Sequence, residues 1–433
     1  MSALGGRSGI VRGSTAPRRR RRRLTDALTL RGRCFLAAGV ALMVCGLLLG
    51  FRDITRIGFL VAGLPLLMLL LARRQRLSMR TTRTVTPSIV PIDQWSDVNL
   101  RVENPGPATT PILMAEEQLD YALGDRPRFV VPRMAPGAEH LINYRVRSTV
   151  RGRHRLGPLG LRVKDPFDMT LRLAVVRGTG ELIVLPRIVS LSGTTVAGGL
   201  GNEGTIPHMI ALHGEDDVSV REHREGDDLR RIHWPATART GDLMVRQEDR
   251  PATRRIVLLL DDRATVERAP RGTASFEWAV TAAASIANEV IGGGTNTFLA
   301  LGGEIRSGHG GEHLRVEEAL TELAVAELRE PVQFVTTMAL AADAAASGAL
   351  CIAVVAAMAE RDTERLARVR PPGSPGMALV LPVSDSDDPV AASATATGLR
   401  ERGWSAVVIT PGTSLVDAWA AAAASPALQG GRR

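Results

Sequence analysis

The stretch Ile256-Val257-Leu258-Leu259-Leu260-Asp261-Asp262 decides the fold of the larger part of this chain. Its five consecutive apolar residues leave no polar face, so the segment reads as a strand buried on both sides. Downstream the pattern alternates. Strands are expected at 296–301, 350–356, 378–383 and 406–409. Helices are expected at 274–291, 314–328, 359–368, 389–402 and 415–423. Strands alternating with helices build a mostly parallel sheet covered on both faces, so residues 251–433 are expected to form an α/β domain of Rossmann type.

Upstream, residues 221–248 read REHREGDDLRRIHWPATARTGDLMVRQE. Arg221, Arg224, Arg230, Arg231, Arg239 and Arg246 face Glu222, Glu225, Asp227, Asp228, Asp242 and Glu248. Charge this dense and balanced points to a fixed ion-pair network or a docking surface. Gly226-Asp227-Asp228 reads as a turn and helix start, with a carboxylate to cap free N–H groups. Pro235 can open a short helix, and Leu243-Met244-Val245 reads as a strand. Asp227 and Asp228 are better read as paired with Arg than as an acid/base couple, because adjacent side chains point apart. Trp234 is expected to pack as an anchor beside Ile232; the competing reading leaves it exposed for docking.

The segment also carries a resemblance. Val220, Arg221, Glu222, Gly226, Asp227, Asp228, Arg230, Ile232, Trp234, Ala238, Arg239, Gly241, Leu243, Val245 and Arg246 resemble the signature of the bacterial domain of unknown function 58 family. Pro235 stands where that family often has Lys, so no role passes to it. The resemblance implies a von Willebrand factor A-like α/β domain at 251–433, preceded by a small β-sandwich. Such a domain binds a divalent metal through D-x-S-x-S at the end of its first strand. Here that position reads Asp261-Asp262-Arg263-Ala264-Thr265. The Arg263 cation would repel a metal, so Asp261 is at most a remnant and is expected to cap a loop or pair with Arg263. No cofactor is expected.

Residues 81–190 fit the sandwich. Short alternating stretches such as Val98–Val102 and Ile142–Val146 are punctuated by Asn104-Pro105-Gly106 and Ala135-Pro136-Gly137. The family's D-P-F-G turn appears as Asp165-Pro166-Phe167-Asp168. If the turn needs positive φ, Asp tolerates it better than most residues. Residues 191–250 are read as a loop-and-signature segment, with the Gly-rich, polar loop at 191–219 leading into the signature.

The N-terminal region differs. Residues 1–33 hold ten Arg and one acid, which leaves 44 basic and 44 acidic side chains in the rest of the chain. The net charge of +9 therefore belongs to a tail. Residues 34–50 and 57–72 carry no charge and read as a transmembrane hairpin within 34–80. Arg flanks on both outer sides place both termini in the cytoplasm. The Arg18–Arg23 run is read as a topology and anionic-lipid signal rather than a nucleic-acid site. The cysteines make no disulfide framework. His208, His213, His223 and His233 match no compact zinc spacing, and no phosphate loop appears.

The expectation is a two-pass cell-membrane protein that is not an enzyme. It would be a scaffold whose partner, as the resemblance implies, is a MoxR-type AAA+ ATPase, with a transglutaminase-like membrane protein as a further partner. The open alternatives are a metal-dependent module or enzyme using Asp261 and the signature acids, and nucleic-acid binding through the Arg tail.

Overall fold

The computed structural model describes residues 27–74, 77–191, 219–222, 234–247, 255–264, 274–308, 313–382, 389–410 and 412–424. Helices α1 (Leu30–Leu48) and α2 (Arg52–Arg74) lead the chain. Strands β1 (Arg80–Thr86), β2 (Ile89–Pro91), β3 (Ser96–Glu103), β4 (Leu113–Leu119) and β5 (Arg128–Val131) follow. Next come β6 (Glu139–Val146), β7 (Gly152–Lys164), β8 (Leu171–Val176) and β9 (Gly180–Leu185). The signature supplies β10 (Ser219–Glu222), α3 (Trp234–Thr240) and β11 (Met244–Gln247). The rest is β12 (Arg255–Leu260), α4 (Ala274–Gly292), β13 (Asn296–Leu301), β14 (Glu304–Arg306), α5 (Val316–Ala324) and α6 (Pro331–Ala345). It ends with β15 (Leu350–Ala356), α7 (Glu360–Ala367), β16 (Gly376–Leu381), α8 (Pro389–Glu401), β17 (Ser405–Val408) and α9 (Leu415–Ala423).

The chain forms two compact units. One takes in the chain through Val85, Asp97–Arg145 and Arg155–Gly180. The other takes in Thr86–Ser96, Val146–His154 and everything from Glu181. Strand β2 pairs with β9 in parallel, Ile89 opposite Ile183. Arg151 donates to the Ala326 carbonyl at 3.0 Å.

In the first unit, α1 and α2 are long and apolar enough to cross a membrane. They pack through small residues: a Cβ on Gly39 would lie 2.4 Å from the Ala62 nitrogen, and one on Gly46 2.6 Å from that of Thr55. Such close backbone approach is how apolar helices associate in lipid. The connector is shorter than the expected 51–56, because Arg52, Asp53 and Arg56 are helical and Arg56 pairs with Asp53 at 3.1 Å. Behind the helices, β1, β3 and β6 form one sheet. In a second, β4 pairs with β5 and β7, and β7 with β8, all antiparallel. Strand β3 alternates buried and exposed along its length, the pattern of a sheet with one wet face. Leu100, Val102 and Ile142 from the first sheet share a core with Leu113, Leu159 and Leu161 from the second.

In the second unit the sheet order is β14-β13-β12-β15-β16-β17. Every pairing is parallel except β13 with β14. Strand β12 shows why its sequence is apolar throughout. Ile256, Leu258 and Leu260 pack in one core with Val280 of α4 and Trp419 of α9. Val257 and Leu259 pack in the other with Phe334 of α6 and Leu399 of α8. Each such buried side chain contributes roughly 1.5–3 kcal/mol. Two elements escape the sequence reading. Helix α6 begins with Pro at its first turn and buries Phe334, Met338, Ala341 and Ala345 at helical spacing; its run Val335-Thr336-Thr337 weakens the helix signal. Strand β14 follows a Gly302-Gly303 turn with φ of 64° and 78°, the two-residue hairpin signal.

Candidate functional site

The chain leaves β12 for β13 on one side and reaches β15 on the other, so the end of β12 is the switch point where α/β sheets hold ligands. Asp261 sits there and is bound on all sides. Its Oδ1 accepts from Arg263 Nε at 2.8 Å and its Oδ2 from Arg263 Nη2 at 2.6 Å. The backbone N–H groups of Arg263 and Ala356 add bonds of 3.2 and 3.0 Å. Arg263 also lies 5.0 Å from the Phe334 ring centroid and donates to the Ala356 carbonyl at 3.4 Å. Burial alone would lower the Arg263 pKa; the bond and charge of Asp261 outweigh it and raise it. This is the pairing expected from sequence, in the bidentate form that suits a guanidinium. Its consequence is chemical: the face of Asp261 that would meet a cation already holds one.

Asp262 is different. It is 1% exposed. Its Oδ2 accepts from the Gly302 N–H at 2.9 Å, while Oδ1 is buried without a hydrogen-bond partner. Burial, then the neighbouring Asp261 charge, raises its pKa above the ordinary carboxylate value. Among the described residues, no group of three or more His, Cys, Asp or Glu is placed to hold a metal ion. A cleft of about 550 Å3, lined by Arg151, Arg153, Phe276, Glu277 and the 324–328 loop, also belongs to this unit. The sequence reading did not find it. Arg151 is buried there, 3.0 Å from Glu277, and stacks on Phe276 at 5.3 Å.

The signature is only partly within the described residues. Gly226, Asp227, Asp228 and Arg230 lie outside them, as do His208, His213, His223 and His233. Strands β10 and β11 pair antiparallel, with Arg221 opposite Val245, Val220 opposite Arg246 and Glu222 opposite Met244. Thr237 accepts from the Met244 N–H at 3.0 Å, which ties α3 to β11. Gly241 has φ of 83° and closes α3 with a 2.9 Å bond to the Thr237 carbonyl. That left-handed turn is the physical reason for glycine at this position. Arg239 is exposed in the last turn of α3. Trp234 is 66% exposed, which corrects the expectation of a packed anchor: it opens α3 at the surface.

Residues 219–369 match the family described as Protein of unknown function DUF58. The match starts at β10, runs through the signature and ends just after α7, and it supports the family resemblance. No curated protein matches. Among solved structures, the chain is similar to the CARDB domain of a Pyrococcus furiosus protein in complex with di-metal ions, at 16% identity and a TM-score of 0.20. That likeness covers 25% of this chain and 93% of the other. It is also similar to a cohesin module of a Clostridium perfringens family 33 glycoside hydrolase, at 12% identity and a TM-score of 0.20, covering 25% and 98%.

Proposed function

We propose that this chain is a membrane-anchored, non-catalytic scaffold. In this reading the α1–α2 hairpin spans the bilayer with both termini cytoplasmic. The α/β unit acts as a von Willebrand factor A-like module that works without a metal. The observation that carries the reading is the closed Asp261–Arg263 pair. A guanidinium that cannot lose its proton stands where a divalent ion or an activated group would meet the sheet edge. The exposed Trp234 and Arg239 supply a surface for a protein partner, since Trp and Arg are the side chains that most often anchor interfaces. The family context makes a MoxR-type AAA+ ATPase the first partner to test, with a transglutaminase-like membrane protein second.

The test is capture from membranes at moderate salt. The wild-type chain should retain a MoxR-type AAA+ ATPase, and Trp234→Ala with Arg239→Ala should lose it. Equal recovery by both forms sinks the docking reading. One observation favours a metal-gated alternative, the unpartnered buried Oδ1 of Asp262. Stoichiometric metal in elemental analysis, with a melting temperature that rises in magnesium or manganese, would replace the first reading with that one.

A further inference from the structure

The β7–β8 turn is locked to both apolar helices at one level. Thr29, the N-cap of α1, donates its backbone N–H to the Met169 carbonyl at 2.9 Å and its hydroxyl to the Asp168 carbonyl at 2.5 Å. Leu28 bridges Thr170. A Cβ on Gly32 would lie 2.2 Å from the Met169 oxygen, so the first turn of α1 presses against this loop. At the far end of α2, Arg172 donates to the Ala72 carbonyl at 3.3 Å. Leu30 opens the first apolar span and Ala72 closes the second.

The turn itself is built to hold this place. Asp165 accepts from the N–H groups of Phe167 and Met169 at 2.8 and 3.2 Å, and from the Thr170 N–H and hydroxyl. Asp168 takes φ of 55°, a left-handed site. With the turn's polar groups engaged inside, Phe167 is left 55% exposed. Lys164 and Arg31 pair with Asp168 at 2.9 and 3.9 Å yet stay about half or more open to solvent. Arg74 is exposed nearby in sequence to the end of the second span.

We propose that the 164–172 turn is a bilayer-surface anchor, with Phe167 entering the headgroup layer and Lys164, Arg172, Arg31 and Arg74 meeting anionic lipid phosphates. The proposal rests on the reading of α1–α2 as a membrane hairpin. If the helices cross, the turn is held at the lipid–water boundary by the bonds above. Long cations suit that level, with an apolar stem and a charged head, and the Phe167 ring is purely apolar, so it leaves water by entering the layer. The turn then fixes the angle at which the β-domain leaves the membrane, where a linker alone would leave it free.

The experiment uses the full chain in phosphatidylcholine vesicles with and without phosphatidylglycerol, with Cys34 and Cys45 replaced by Ala. A polarity-sensitive dye is placed at Phe167→Cys or at Tyr121→Cys. Tyr121 follows β4, whose end pairs Leu119 with Leu156, while the turn follows Lys164. It therefore sits at the other end of β7, about 25 Å away at roughly 3.3 Å per residue. The dye at 167 should shift to the blue and lose most of its emission to nitroxide-labelled lipid, more so with phosphatidylglycerol; the dye at 121 should do neither. Lys164→Ser with Arg172→Ser should weaken the phosphatidylglycerol dependence at 167, and an unchanged dependence counts against the anchor. Flotation after an alkaline wash reads the hairpin separately. A chain that washes off overturns both readings; one that floats with a water-exposed dye at 167 overturns this one alone. Phe167→Trp with brominated lipid repeats the test with a smaller change, and no excess quenching over wild type counts against the anchor.

Discussion

In the β-domain, Arg83 clasps Glu117; in the α/β domain, Arg263 clasps Asp261. The two bonds are alike in chemistry. Arg83 Nε meets Glu117 Oε1 at 2.6 Å and Nη2 meets Oε2 at 3.1 Å, with both side chains 0% exposed. Arg263 makes the same two-pronged contact at 2.8 and 2.6 Å. They differ in what else holds each carboxylate. Asp261 keeps two backbone N–H donors. Both Glu117 oxygens share the Arg83 guanidinium, with the Tyr144 hydroxyl close enough to feel the carboxylate's charge, and the third arm of Arg83 goes to the Gly178 carbonyl at 2.7 Å and the Thr81 hydroxyl at 3.2 Å. The Arg83 pair therefore ties β1 to β4 and to the loop after β8. The Arg263 pair closes one turn at a strand end. A buried pair gives little net stability over apolar residues of similar shape, but breaking it leaves a charge without water.

Removing either arginine tests that difference. Arg83→Met should cost about 3–5 kcal/mol, read from denaturant unfolding of the detergent-solubilised chain. Adding Glu117→Leu should restore most of it. If Arg83→Met alone is as stable as wild type, the pair is not holding the β-domain. Arg263→Ala should cost less, about 2–3 kcal/mol, because two N–H groups still serve Asp261. An equal loss at both sites would erase the contrast.

Asp262 sharpens it further, since it has no cation bonded to it. Its folded pKa is raised, so the native state holds this proton more tightly than the unfolded chain does. Its contribution to stability is full below the unfolded pKa and is lost as pH rises through the folded one. Asp262→Asn should then melt about 2–4 °C higher near neutral pH, and the gain should vanish in mild acid. A gain that persists in acid would assign the effect to packing instead of charge. The smallest change is expected at Trp234. Replacement by Ala should leave unfolding within about 0.5 kcal/mol of wild type, as for other exposed positions. A larger loss would mean that the ring packs.

The same contrast explains which parts could be read from the chain. Asp261 and Arg263 are two residues apart, so the bond is visible as a local pattern. Arg83 and Glu117 are 34 apart, and nothing near either residue names the other. The helix α6 and the hairpin at Gly302-Gly303 did leave local signals, a Pro start with helical burial spacing and a two-residue glycine turn. The exposure of Trp234 carries no local signal, because a tryptophan's burial depends on what the fold brings over it.

By itself, the sequence determined the two apolar helices, the alternating β-domain and the continuous apolar strands of the α/β sheet. Each follows from a period of two or 3.6 residues, or from a run without polar groups, and such patterns act within a few neighbours. Only the tertiary structure decided that β2 pairs with β9, that Arg151 reaches the Ala326 carbonyl, that Arg83 finds Glu117, and that the Asp165–Asp168 turn seats against the outer ends of α1 and α2. Those contacts join residues from 34 to 175 positions apart. Their partners are chosen by packing after the chain has closed on itself, and no local pattern carries that choice.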